Sequence, residues 1–468
     1  MGAITKEKKM IVDFTQGNVT KLLLTFAAPL FLSNLLQIVY NMVDMIIVGR
    51  YCGSVGLSGV SIGGDISHFL TFLAMGFSNA GQVIISQYIG AGEEKNVGRF
   101  VGTMFTFLLS CALGVSVVCL IFREPILRLM NTPAESWDAT LAYATTSMVG
   151  LVFIYGYNIV SAVLRGMGDS KHPFVFISIA AVMNLVLDIV FVAYMDMGAF
   201  GAALATVISQ TTSFVCAAIF LYKNQHRLGF SIDRRCFTHI DKEMLSTLIK
   251  LGIPMAIKSA SVQFSKLFVN SWINSYGVVE SAVAGIANKF NSISNLFSNA
   301  VNTAGSSMVG QNIGAENYRR VPKIMLVTFS TTITIAIAMA IILISVPEFV
   351  FGIFTQEADV LAVCMEYLPV GVLVFFGAAF RAPMNTLVNG SGNHRVNFAV
   401  AILDGIVLRI GLAVLLGQVL DFGYVGFWYG DALASFTPFW IGLVYYFTGA
   451  WKTNKYIIKK QKKEAVAK

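Results

Sequence analysis

Several polar side chains in this chain stand where its apolar surroundings leave them little other use. Asn34, Gln37, Asn41 and Asp44 recur at spacings of 3, 4 and 3, and Asn184 and Asp188 are four apart. Both spacings put their members on one face of an α-helix. Asp44, Asn184 and Asp188 with the hydroxyl of Thr206 make a set of hard oxygen donors, suited to holding Na⁺ or exchanging a proton. A second set is richer in amides. Ser259, Gln263, Lys266 and Asn270 are spaced 4, 3 and 4, and Asn288, Asn291, Asn295, Asn299 and Asn302 are spaced 3, 4, 4 and 3. A stripe of this kind faces a cavity rather than lipid. Nucleotide and metal chemistry have no counterpart here. The chain contains no G-x-x-x-x-G-K-[ST] to cradle phosphates, no H-E-x-x-H and no C-x-x-C. Gly166 and Gly168 precede Pro173 and read as helix terminators. No nucleophile–base constellation points to an enzyme, and no cofactor is expected beyond a coupling ion.

The elements that carry these residues follow from composition. The chain has 468 residues, of which 56% are hydrophobic and 12% charged, whereas soluble domains carry about a quarter charged. Soluble enzymes and nucleic-acid binders are excluded. Apolar runs of the length needed to cross a bilayer occupy about 21–48, 57–86, 97–122, 137–164, 172–196, 199–223, 246–272, 281–309, 321–346, 362–388, 396–420 and 424–447. This reads as an all-α polytopic membrane protein of twelve helices, without the dyad pattern of a barrel. An ionisable group within such a span is costly, and so a functional candidate. Asp188 lies ten residues before the turn at Gly198 and Thr206 eight after it, roughly 15 and 12 Å from that end at 1.5 Å per residue. Asp44 nears the end of its own span on the same side. Asp65, in the second span, is a weaker candidate near the membrane rim.

Charge sets the orientation. With both termini on one side, only Arg50, Arg123 and Arg128 of the Lys and Arg outside the spans fall on the other. That places both termini in the cytoplasm of a multi-pass cell-membrane protein. The net charge of +8 then belongs to loops and a basic tail facing anionic lipid, not to nucleic acid. The polar start of the chain offers no cleavable signal peptide.

The two halves repeat each other about 225 residues apart: QYIGAG (87–92) with QNIGAE (311–316), Pro29 with Pro254, RGMGDS (165–170) with NGSGNH (389–394). Each half holds six spans, an even number, so the halves run parallel. The expected organisation is an N-lobe over 1–223, a linker over 224–245, a C-lobe over 246–450 and a tail over 451–468, with a central cleft between lobes related by a pseudo-two-fold axis.

Pro29 followed by Asp44 and VGR (48–50), the two Q-x-I-G-A loops, RGMGDSKHP (165–173), and Asn184 with Asp188 together resemble the multidrug and toxic compound extrusion (MATE) family over nearly the whole chain. The resemblance implies a secondary active antiporter, driven by Na⁺ or H⁺ and exporting amphipathic drugs or toxic organic compounds by alternating access, as a monomer. It implies a cation site formed by Asp44, Asn184, Asp188 and Thr206, completed by the backbone carbonyl of Ala202. Asn34, Gln37, Asn41, Gln263, Lys266, Asn270, Asn288, Asn291 and Asn295 would line the cleft. The C-lobe departs from the pattern. Asp44 maps to Val269 or Asn270, Asn184 to Arg409, Asp188 to Ala413 and Thr206 to Asp431, so a structural ion pair of Arg409 with Asp431 is expected where a cation would sit. Lys266 also departs, because the family's cargo is typically cationic: it pairs with a carboxylate, snorkels, or meets anionic cargo. Lys258, Lys266, Lys289 and Arg381 lend some support to a lipid-linked oligosaccharide flippase of the same superfamily. An intramembrane enzyme and a channel have less behind them.

The topology is testable by labelling. In a background lacking the six native cysteines, Asn224→Cys should react with a membrane-impermeant maleimide only from the cytoplasm, and Glu135→Cys only from outside. Reaction of both from one face contradicts the twelve-span reading.

Overall fold

The computed structural model describes residues 10–231, 233, 236, 237 and 240–452. The first nine residues, the tail from 453 onward, and Arg234 and Arg235 of the expected linker lie outside the described residues. The described residues are helical with no strand, as a bilayer requires of backbone groups that have no water to bond. The long helices are α1 (19–52) and α2 (54–90), joined through Gly53 at φ 64°, α3 (Glu94–Ile121), α4 (Trp137–Gly166), α5 (Lys171–Tyr194), α6 (Gly198–Asn224), α7 (Lys242–Asn274), α8 (Val278–Gly314), α9 (Val321–Ser345), α10 (Ala358–Ser391), α11 (His394–Val419) and α12 (Gly423–Ala434 with Thr437–Thr448).

These are the twelve helices the apolar runs announced, with two differences. Helix α8 continues past the expected 309 to Gly314, because Gly310–Gly314 are buried by protein and need no apolar surface of their own. Helix α12 breaks at Ser435 and Phe436, where Pro438 opens the second piece and removes a backbone donor. The described residues divide into two compact units, one of residues within 10–13 and 32–252, the other within 14–31 and 253–452. The chain passes between the units three times, between residues 13 and 14, inside α1 and inside α7, and the two crossings within helices lie near a proline, Pro29 or Pro254.

The repeat is visible in the backbone. Gly92 and Glu316 both have positive φ (74° and 58°) and are 224 residues apart, as are Gly168 and Gly392 (85° and 69°). Asp169 Oδ1 accepts from the amides of Lys171 and His172, both at 3.1 Å, and Asn393 Oδ1 accepts from those of Arg395 and Val396 at 3.1 and 3.2 Å. Further on the spacing becomes 225. Asp196 and Asp421 have φ 53° and 54°, and Gly198 and Gly423 have 57° and 59°.

The extra residue therefore enters between Asn393 and Asp421. Helix α5 has one π-helical stretch, Ile189–Tyr194, while α11 has two, Leu403–Leu408 and Leu415–Val419. The amide bonds of Met195 to Val190 (2.9 Å) and of Leu420 to Leu415 (2.8 Å) match the later stretch to the one in α5. Leu403–Leu408 has no counterpart. A π turn accommodates one residue more than an α turn, so this stretch is the insertion.

Helices α11 and α12 cross closely. A Cβ on Gly430 would fall 2.4 Å from the backbone N and Cα of Ala413, whereas one on Gly411 meets nothing within 4 Å. Gly426 and Gly430 form the G-x-x-x-G spacing that admits a neighbouring backbone. Gly430→Ala should therefore lower the melting temperature in detergent markedly while Gly411→Ala leaves it unchanged. Equal effects contradict this packing.

Candidate functional site

In the first unit, α1, α5 and α6 bring four of the expected residues together. Asp44, Asn184 and Asp188 are 8%, 3% and 1% exposed, and Asn184 Nδ2 donates to Thr206 Oγ1 at 3.4 Å. The carboxyls of Asp44 and Asp188 are close enough to interact directly. Ala202 is fully buried one turn before Thr206. Neither oxygen of Asp188, nor Oδ1 of Asp44, has a hydrogen-bond partner among the described residues. Two adjacent buried carboxylates without donors are strongly unfavourable, and a shared cation or proton removes that cost. The donor set of carboxylate, amide and hydroxyl oxygens fits either.

Three neighbours were not singled out from the sequence. Tyr143 lies against Thr206 and beside both carboxyls, and Tyr40 sits between Gln37 and Gln210, near Asp44. Tyr40 is four residues before Asp44, and Gln210 is four after Thr206, so their helical spacing carried a signal. Tyr143 had none in sequence. It is brought in because α2 meets α4 at Gly59 and Gly63, where added Cβ atoms would fall 2.7 Å from Ala139 Cβ and 2.6 Å from Tyr143 Cδ1.

The second unit answers differently at the equivalent place. Arg409 is fully buried. Its Nη1 donates to Asp431 Oδ1, and its Nη2 to Asp404 Oδ1 at 2.8 Å. This link from α11 to α12 joins residues 22 apart, as Asn184 and Thr206 are in α5 and α6, and its members stand 225 residues later. The expected pair is thus part of a triad. Asp404 rides on the inserted π turn and was not foreseen, although it is an intramembrane carboxylate by the same criterion as the others.

The amide stripes separate by role. Arg381 donates to Asn295 Oδ1, Lys258 Nζ to Asn385 Oδ1 at 2.6 Å, and Thr386 to Asn302 Oδ1 at 3.3 Å. Lys266, Asn270, Asn288 and Asn291 instead line one cavity of about 20 Å³, together with Asp431. Gln263 is exposed and outside that lining, as are Lys289 and Asp65, while Asn34 and Asn41 lie half-buried along α1. Lys266 makes no ion pair or hydrogen bond among the described residues.

The MatE family model matches twice, at residues 29–190 and 254–415, once in each half. The chain belongs to the MatE family. Among curated MatE-type relatives it is 29% identical to the probable multidrug resistance protein YpnP of Bacillus subtilis, over 96% of this chain and 99% of that one. It is 23% identical to the probable multidrug resistance protein NorM of Thermotoga maritima, over 95% and 96%. A MOP superfamily transporter from Pyrococcus furiosus shares the fold at TM-score 0.87, with 20% identity over 94% of this chain and 98% of that chain. A crystal structure of MATE in complex with MaD3S does so at 0.86, with 21% identity over 96% and 100%. The MatE fold is thus a twelve-helix membrane fold of two six-helix lobes.

The triad reverses the simplest expectation for charge removal. Asp431→Asn leaves Arg409 neutralised by Asp404, whereas Arg409→Gln strands two buried carboxylates. Removing one partner of a buried pair costs about 3–5 kcal/mol. Melting in detergent should therefore fall most for Arg409→Gln and less for Asp431→Asn, with Asp431→Asn partly rescuing Arg409→Gln. Additive losses would mean that the groups do not interact.

Proposed function

We propose that the protein is a cation-coupled multidrug exporter in which Asp44, Asn184, Asp188 and Thr206 hold the coupling ion. The observation that carries this reading is the adjacent pair of buried carboxyls, three of whose four oxygens have no hydrogen-bond partner among the described residues. The names of its relatives as multidrug resistance and export proteins support the export of small molecules across a cell membrane, and the uneven distribution of Lys and Arg supports cytoplasmic termini.

The mechanism follows from where charge can be tolerated. Each buried carboxylate costs several kcal/mol when unpaired. A proton or Na⁺ at the Asp44–Asp188 pair relieves this in the conformation that encloses it, and its departure restores the cost. An ion drives a conformational change only by its differential affinity for the two states, and a site so short of donors is where such a difference is large. Asn184 and Thr206 orient oxygens toward the ion, and Tyr143 and Tyr40 close the space around it. Entry of one charge along a potential of 100 mV releases about 2.3 kcal/mol, available for moving cargo the other way. The C-lobe triad carries its own cation in Arg409, so coupling resides in the N-lobe.

In proteoliposomes, Asp44→Asn and Asp188→Asn should each abolish dye transport driven by an imposed Na⁺ or H⁺ gradient, at unchanged melting temperature, because an amide replaces a carboxyl at nearly constant volume. Asp431→Asn should retain coupled transport. Full activity in either N-lobe variant contradicts the reading.

A further inference from the structure

The C-lobe cavity faces its occupant with donors. Trp428 is 4% exposed and Tyr367 1%. Both line the cavity, and neither Trp428 Nε1 nor the Tyr367 hydroxyl has a hydrogen-bond partner among the described residues. An indole N–H donates only, and so does the ammonium of Lys266. The amides of Asn270, Asn288 and Asn291 can add further donors. The one carboxylate in the lining, Asp431, gives Oδ1 to Arg409 and lies beside Lys266 as well, so one carboxylate faces two cations.

Charge in this lobe points the same way. Lys258, Lys266, Arg381 and Arg409 lie in the interior of α7, α10 and α11, and the carboxylates near them among the described residues are Asp404 of α11 and Asp431 of α12. Arg409 takes both carboxylates. Lys258 and Arg381 are held by neutral amide oxygens, which satisfy geometry and leave the charge. A cation in the cavity would meet Lys266 and an indole N–H it cannot satisfy. An oxyanion would satisfy both. The volume of about 20 Å³ admits a group little larger than a water, which suits the carboxylate end of a larger molecule.

We infer that this cavity is a binding subsite for an anionic group of the cargo, so that the protein exports organic anions or zwitterions carrying a carboxylate or similar oxyanion. The inference takes its word cargo from the export reading, but the site is measurable without transport. Lys266 supplies the charge, and Trp428 and Tyr367 supply fixed donors, held edge to face with ring centroids 5.3 Å apart.

The test is binding of fluorescein, an anionic dye, and ethidium, a cationic one, to purified protein in neutral detergent, followed by fluorescence anisotropy. The wild type should bind fluorescein more tightly than ethidium. Lys266→Gln should weaken fluorescein binding about tenfold, as expected for loss of a hydrogen bond from a charged donor. Trp428→Phe, which keeps the ring and removes the N–H, should weaken it several-fold. Ethidium binding should weaken in neither, and Lys266→Glu should invert the preference. Unchanged fluorescein affinity in both Lys266→Gln and Trp428→Phe, each with wild-type melting temperature, overturns the inference, as does a wild-type preference for ethidium. Intact fluorescein binding sensitive to these variants, alongside absence of gradient-driven efflux of any dye, removes the export reading and leaves the anion site in place.

Discussion

A charge inside a hydrocarbon layer must be shared with something, and the interior of this protein is organised around two ways of sharing it. In the N-lobe, Asp44 and Asp188 lie together, and both oxygens of Asp188 and Oδ1 of Asp44 have no hydrogen-bond partner among the described residues. In the C-lobe, Asp404 and Asp431 meet the guanidinium of Arg409, which is bound covalently to the fold. The C-lobe holds a cation that cannot leave, and in the proposed mechanism the N-lobe takes one that can. The two repeats of one architecture differ in who supplies the positive charge.

The two solutions occupy equivalent places because the repeat conserves backbone geometry while allowing one local insertion. The positive-φ turns at Asp196 and Asp421, and the caps at Asp169 and Asn393, fix the ends of α5 and α11 in the same way. Between them α11 takes in one residue through the π turn Leu403–Leu408. That turn carries Asp404 and ends just before Arg409, so the second carboxylate and the altered register arrive together. The donors of Lys266, Trp428 and Tyr367 then remain free of the triad, turned to the neighbouring cavity.

The spans were legible because each is a long apolar run, and Asp44, Asn184 and Asp188 because polar groups at helical spacing have little other reason to be in a membrane, with Thr206 added by its matching depth and by the family resemblance. The pairing of Arg409 with Asp431 followed from carrying the repeat offset onto the N-lobe residues that the family resemblance implies, and from the cost of either charge alone. What the sequence hid depended on tertiary contact or on departures from α-helical register. Tyr143 reaches the site only because Gly59 and Gly63 let α4 approach α2. Asp404 reaches Arg409 from five residues away along a π turn, a geometry that 3.6-residue periodicity does not anticipate. The stripe from Asn288 to Asn302 looked uniform, yet Asn295 and Asn302 serve Arg381 and Thr386 while Asn288 and Asn291 line the cavity. Spacing places residues on a face and does not say which neighbour meets them.

The claim that one lobe exchanges its cation and the other does not is open to infrared difference spectroscopy of the reconstituted protein, switched between buffers of different Na⁺ concentration and then of different pH. The account predicts a carboxyl band that responds to one of these switches in the wild type. That band should disappear in Asp44→Asn and in Asp188→Asn and persist in Asp404→Asn and Asp431→Asn. A responsive band that survives Asp188→Asn, or one lost in Asp431→Asn, would contradict it.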